Sequence, residues 1–124
     1  MAHIATNQVV TIHQAMADQT RIGILRLLLD RALYVCEIVD ILEEPQYKVS
    51  RHLAVLRNAG LICDQREGTW TRYTVNPALP VEWHGALQAL RQVWDQVPEI
   101  QAALWRLQHH TPCCGKTVRS SHCC

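Results

Sequence analysis

Residues 32–60, "ALYVCEIVDILEEPQYKVSRHLAVLRNAG", constrain this chain more than any other stretch. Leu33, Cys36, Val39 and Leu42 recur at helical spacing, and after the break "EEPQ" Val49, Leu53 and Leu56 do so again. Pro45 lacks the N–H that a helix interior needs, so it stops the first segment and opens the second, and Gly60 ends the second. Two short amphipathic helices separated by so short a break must be neighbours in space. The spacing predicts a helix-turn-helix.

The flanking sequence builds a domain around that unit. Residues 4–16 carry Val9, Ile12 and Met16 on one helical face. Asp18 stands at an N-cap position before "QTRIGILRLLLD", in which Ile22, Leu25, Leu28 and Leu29 form an apolar stripe. After Gly60, "LICDQR" and "TWTRYTV" flank "EG" and read as a β-hairpin. Beyond Pro77 and Pro80, the residues Trp83, Leu87, Leu90, Trp94 and Val97 mark a further helix. Pro98 then opens a last one bearing Ile100, Ala103, Leu104 and Leu107. Phe is absent, so the four Trp and the many Leu, Ile and Val fill the core. No repeat is present, and no periodicity continues past Gln108. The expected organisation is one all-α domain with a small β-hairpin wing over residues 1–110, followed by a flexible Cys-rich tail over 111–124.

Formal net charge is only +1, so its placement matters more than its sum. Residues 34–45 hold four acids and no base, whereas 46–76 hold Lys48, Arg51, Arg57, Arg66 and Arg72 against Asp64 and Glu67. Burying Val49, Leu53 and Leu56 turns Gln46, Tyr47, Lys48, Ser50 and Arg51 outward. Gln pairs with adenine, Arg and Lys with guanine, and Ser with bases or phosphates, so these types suit a major groove. Arg66, Thr69 and Arg72 on the hairpin are placed to hold phosphates or enter the adjacent minor groove. His52 reads as a packing or phosphate-contact residue. An ordinary solvated helix face is the alternative, and the position between a tight turn and a two-stranded wing favours DNA.

Other function classes recede on the same evidence. No apolar run approaches the ~18 residues of a membrane span, and "MAHIATNQVV" lacks the layout of a secretory signal, so the chain is expected to be cytoplasmic. In that reducing compartment six cysteines point to metal binding, redox sensing or simple burial more than to a disulfide framework. A thiol enzyme finds no cofactor fingerprint and no Cys-x-x-Cys.

"MADQTRIGILRLLL", "PQYKVSRHLAVLRNAGLI" and "REGTWTRYTVNP" resemble the ArsR/SmtB family of metal-responsive winged-helix repressors, most of all its arsenic-sensing members. The resemblance covers residues 9 to 107. It implies a homodimer whose first and last helices pair across the two-fold axis, binding to double-stranded operator DNA, and release when a thiophilic ion binds. A dyad also has a physical warrant, since one helix-turn-helix reads few base pairs and two can occupy half-sites about 34 Å apart. Trp83, Leu87, Leu90, Trp94, Ile100, Leu104 and Trp105 offer apolar surface either for that dimer or for closing the chain's own core. One departure is Pro45, where the family usually has a Ser cap.

Arsenic-sensing relatives often carry Cys-Val-Cys at the start of the third helix. Here Tyr34 and Cys36 occupy those places and Val39 stands where a further thiol can occur, which leaves one sulfur there. As(III) and Sb(III) take three thiolates in a pyramid. Relatives with degenerate third-helix sites place cysteines near the C-terminus, which the tail "HHTPCCGKTVRSSHCC" resembles. The ligands expected are thus Cys113 and Cys114 with Cys123 or Cys124, and Cys36 as an additional candidate. Four alternatives stay open. The tail can be inert. It can hold Zn(II) or Cd(II) with members of His109, His110 and His122. It can act as a redox switch beside Lys116 and Arg119. Cys36 can complete a site with a partner's tail. His84, Glu82 and Asp95 do not reproduce the ligand spacing of zinc-sensing relatives. Cys63 reads as a small core residue, and nothing supports a ligand role for His3 or His13.

Overall fold

The computed structural model describes residues 4–110. In chain order the elements are α1 (Thr6–Ala15), α2 (Gln19–Asp30), β1 (Leu33–Tyr34), α3 (Val35–Leu42) and α4 (Gln46–Asn58). They continue with β2 (Ile62–Glu67), β3 (Trp70–Val75), α5 (Val81–Trp94) and α6 (Pro98–Gln108).

α2 is the hub. Its start is fixed by Asp18, whose Oδ2 accepts from the backbone N–H of Thr20 at 2.9 Å and of Arg21 at 3.2 Å, as expected of an N-cap. Every residue from 23 to 28 is buried, wider than the single stripe the sequence predicts, because α3, α4, α5, α6 and β3 all pack on it. Gly23 makes one approach possible: a Cβ there would lie 3.3 Å from Leu42, so α3 comes close without a side chain between.

α4 buries Val49, Leu53 and Leu56 as the spacing predicts. Pro45 sits just outside it as the N-cap, and its carbonyl accepts from Lys48 and Val49, both at 3.1 Å. Glu43 closes α3 in the left-handed region (φ 57°) with its N–H on the Val39 carbonyl at 2.9 Å. The missing Ser cap therefore leaves the turn intact. Past α4, Gly60 (φ +84°) donates to the Arg57 carbonyl and Leu61 to that of Leu56, which satisfies two carbonyls of the last turn.

Two elements differ from expectation. The stretch read as one helix from residue 32 begins as a strand: Leu33 and Tyr34 pair antiparallel with Tyr73 and Arg72. Leu33 and Tyr34 are strand-compatible side chains beside a free hairpin edge, and the Tyr34 N–H bonds to Glu37 Oε1 at 3.0 Å as the helix begins one residue later. The buried face of α3 is then Glu37, Ile38 and Ile41, while Cys36, Val39 and Leu42 are half-buried. The wing is thus a three-stranded sheet in the order β1-β3-β2. Its register ends at Glu67 opposite Trp70, leaving Gly68 and Thr69 as the turn. Gly68 holds φ +65° at the first central position, the requirement of a two-residue hairpin loop.

The second difference is at the C-terminal helices. α5 stops at Trp94, Val97 caps α6, and Pro98 takes the first helical position as predicted. Trp83, Leu87, Trp94 and Ile100 are buried within the chain itself, so most of the surface weighed for a dimer closes the chain's own core. Trp105, 60% exposed, remains outside, together with Val81, Val93 and Val97. Arg26, buried on α2, bonds to Asp95 through Nε (2.5 Å) and Nη2 (3.3 Å) and to Asp30 at 2.8 Å, and Arg91 also reaches Asp30 at 2.7 Å. This network ties α5 to α2. No helix among the described residues is long and apolar enough to cross a membrane.

Candidate nucleic-acid interface

The face of α4 opposite its buried stripe carries Gln46, Tyr47, Ser50 and Arg51, all exposed. They occupy the N-terminal turns, the part of a recognition helix that meets base edges. The Arg51 guanidinium lies 6.0 Å from the Tyr47 ring centroid, a cation–π distance that orients two adaptable side chains together. Lys48 is half-buried and its Nζ is 3.0 Å from Glu44 Oε1, so the ammonium is partly neutralised by the turn that precedes the helix.

The wing that follows α4 in the chain carries a mixed charge. Arg66 is exposed, with Nε 3.4 Å from the Gly68 carbonyl, and Thr69 is exposed at the turn. Arg72 is different: Nη2 is 2.9 Å from Glu67 Oε2 and 3.2 Å from Gln65 Oε1. Glu67 also accepts from the Tyr34 hydroxyl at 2.6 Å, which anchors the hairpin stem to β1. Arg72 is in this way a member of the wing's own scaffold.

His52 faces inward. It is 8% exposed, with Nδ1 3.0 Å from Arg21 Nη1 and Nε2 3.7 Å from Asp18 Oδ2. Burial pushes its pKa below the usual 6.5; Asp18 opposes this, and the charges of Arg21, Arg51 and Lys48 reinforce it. Burial works against the Asp18 carboxylate too, but the Arg21 N–H, His52, the Arg21 charge and the Thr20 N–H outweigh it and hold that pKa below 3.8. Arg21 and Asp18 are site residues that the sequence reading passed over except as part of a cap. The signal was available, because His52 lies three residues after Val49 and so falls on the buried stripe.

The cysteines expected as ligands are placed less fully. Cys113, Cys114, Cys123 and Cys124 lie outside the described residues. Cys36 is in the first turn of α3, half-buried, next to Glu37, whose Oε2 is 4.0 Å from His110 Nε2. The end of α6 is thereby brought against the start of α3. Cys63 is half-buried on β2 as a free thiol, less enclosed than a core residue. Asp95 serves Arg26, His109 stacks on Trp105 with centroids 4.0 Å apart, and His13 packs edge-on to Trp83. Among the described residues no three His, Cys, Asp or Glu side chains gather as a metal site.

Residues 18–63 match the family described as "Bacterial regulatory protein, arsR family". The chain is 35% identical to the arsenical resistance operon repressor of Escherichia coli over 107 residues, 86% of this chain and 89% of that protein. It is 37% identical to an arsenic resistance transcriptional regulator of Pseudomonas putida, over 91% of this chain and 95% of that one. Among solved structures, HlyU of Vibrio cholerae superposes with a TM-score of 0.65 at 32% identity, covering 73% of this chain and 98% of its own. A homodimeric winged helix-turn-helix DNA-binding domain from Mycobacterium bovis shares the fold at TM-score 0.63 and 24% identity, over 89% of this chain and 96% of that one. With its helix-turn-helix, wing and extensive identity to these regulators, the chain belongs to the ArsR family of winged helix-turn-helix transcriptional regulators.

Proposed function

We propose that the protein is a repressor that binds double-stranded operator DNA as a homodimer and lets go when trivalent arsenic or antimony is captured by its cysteine thiolates. The observation that carries the DNA half is the exposed row Gln46, Tyr47, Ser50 and Arg51 on a helix whose opposite face is locked into the core. Arg66 and Thr69 extend the contact to the backbone, with Lys48 and Arg72 as charge partners whose acids, Glu44 and Glu67, give way to phosphate. His52 supports this surface from behind.

For the effector half, residues 111–124 act as a Cys-bearing segment apart from the winged domain, and Cys113, Cys114 and one of Cys123 or Cys124 supply three sulfurs. The similarity to arsenical and arsenic resistance regulators supports the ion class. Cys36 is a further candidate once reduced, since the structure holds it in a disulfide, and His110, three residues before Cys113, lies against Glu37, the neighbour of Cys36; three residues of chain span at most about 11 Å. Soft pyramidal ions favour thiolate over the imidazoles nearby.

Release demands differential affinity: moving a dimer from 99% to 1% DNA-competent takes about 5.5 kcal/mol. The test is fluorescence anisotropy on a duplex selected by the protein from a dyad-symmetric random pool, under reducing conditions, titrated with arsenite, antimonite, Cd(II) and Zn(II). Loss of anisotropy with the first two, abolished by Cys113→Ser with Cys114→Ser, is the expected result. Release by Cd(II) or Zn(II) alone, or unchanged release in the double variant, refutes the assignment.

A further inference from the structure

Arg21 stands where three helices meet. Its Nε donates to the Ala15 carbonyl at 2.7 Å and Nη2 reaches that of Gln14 at 3.5 Å, both at the end of α1. Its backbone N–H donates to Asp18 in the cap of α2, and Nη1 lies 3.0 Å from His52 Nδ1 in the middle of α4. One guanidinium thus spans from the end of α1 to the back of the helix that carries Gln46, Ser50 and Arg51. Residues 21 and 52 are far apart in sequence, and neither is on the DNA-facing surface.

We propose that Arg21 and His52 are positioning residues for DNA binding: their bond sets the placement of α4 relative to α1 and α2, and does so only while the imidazole is neutral. The inference rests on the DNA-binding reading above. A guanidinium has donors and no acceptor, so the Nδ1 it faces must carry the lone pair and the proton must sit on Nε2. Nε2–H then points toward Asp18 Oδ2 at 3.7 Å, long for a hydrogen bond but favourable in charge. The groups facing this imidazole are Asp18 and Arg21 from α2 and Lys48 and Arg51 from α4 itself, while α1 contributes through the backbone carbonyls that hold Arg21.

A second proton on His52 would set N–H against N–H within a buried contact. The bond would break, Arg21 would keep its α1 carbonyls, and α4 would lose its tie to them. The sign with pH follows. The folded protein disfavours protonation relative to an unfolded His near 6.5, so the contact is fully present above that value and is lost as pH falls through the lowered folded pKa. Simple electrostatics has the opposite sign, because an added positive charge on a DNA-binding helix strengthens attraction to phosphates. The two accounts can therefore be told apart by direction alone.

The experiment measures anisotropy with the selected duplex at constant ionic strength from about pH 5.5 to 8. It compares the full-length chain with its His52→Gln and His52→Leu variants, each checked for a cooperative thermal transition. The Gln side-chain oxygen can accept from Arg21 and does not titrate, so His52→Gln is expected to keep affinity within about threefold at pH 8 and to lose the weakening on the acid side. His52→Leu fills the space without an acceptor and is expected to bind about tenfold more weakly at pH 8 while still folded. In free protein, the imidazole 15N shifts of His52 should report an unprotonated Nδ1 at neutral pH. Three results overturn the proposal: a His52 protonated on Nδ1, an acid-side profile shared by wild type and His52→Gln, or a folded His52→Leu that binds as tightly as wild type. Failure of the wild type to bind any duplex at any pH removes the DNA-binding reading itself, and the positioning role with it.

Discussion

Removing the Asp95 carboxylate should cost more than removing the arginine it holds. Arg26 is 4% exposed, and its guanidinium is shared between Asp95 and Asp30. The Asp95 side chain is 39% exposed. Burial alone would lower the arginine pKa, yet the hydrogen bonds and charges of Asp95 and Asp30 raise it above its ordinary value, so the charge is held only by its partners. Asp95→Ala leaves that buried charge with Asp30 alone, which Arg91 also engages. Losing one partner of a fully buried pair costs about 3–5 kcal/mol; with Asp30 still present and Asp95 partly solvated, roughly 2 kcal/mol is expected. For a domain near this size that is a fall in Tm of about 6–12 °C. Arg26→Met instead strands a carboxylate that can hydrate, and should cost roughly 1 kcal/mol. The double variant should resemble Arg26→Met, a coupling of about 1.5–2 kcal/mol. Urea melts at one fixed protein concentration measure all four species, since any dimer makes stability concentration-dependent. Additivity within about 0.5 kcal/mol, or an Asp95→Ala as stable as wild type, refutes the reasoning.

Asp18→Ala removes the acceptor of two N–H groups at the start of α2 and should cost about 1–2 kcal/mol at neutral pH. Because the Asp18 pKa is held below 3.8, that difference is full above this value and fades as pH falls through the lowered folded one, which parallel acid melts would show. Arg51→Ala, at an exposed position, should leave the unfolding free energy within about 0.5 kcal/mol of wild type, yet weaken duplex binding by about 1–3 kcal/mol if Arg51 reads a base. If it contacts phosphate instead, the slope of log affinity against log salt should shrink by about 1, and an unchanged isotherm would remove Arg51 from the interface. Gly68→Ala forces a side chain into φ +65° at the hairpin turn, with an expected cost of about 1 kcal/mol in chemical melts.

The helical periodicities were legible because they arise from local burial. Val49, Leu53 and Leu56 face the core as their spacing demands, and Asp18 and Pro98 mark starts by chemistry that acts within one turn. β1 was not legible, since "LY" becomes a strand only through the β3 edge supplied almost forty residues later. The same reason hides Arg21. Nothing near it in sequence announces a bond to an imidazole on α4, and its charge reads as surface until the partner appears. Trp83 and Trp94 were ambiguous for a further reason: apolar faces look alike whether they meet their own chain or another, and only the packing of α2 against α5 decides it.

Apart from β1, the long-range contacts converge on α2. Near its N-terminus α2 grips α4 through Arg21 and His52, its middle grips the α5–α6 junction through Arg26 and Asp95, and Gly23 admits α3 against it between the two. α6 in turn holds the end of α3, where Arg106 Nε donates to the Ile41 carbonyl at 2.5 Å, two residues before the left-handed turn that precedes α4. A buried, close-packed helix does not bend gradually; it shifts as a unit or stays. α4 therefore has two mechanical supports, one through α2 and one through α3, and both of these helices pack on α6, the last helix before residues 111–124 in the sequence. A displacement of α6 would strain one of them, so the orientation of the exposed row Gln46, Tyr47, Ser50 and Arg51 is set by contacts that none of those four residues makes.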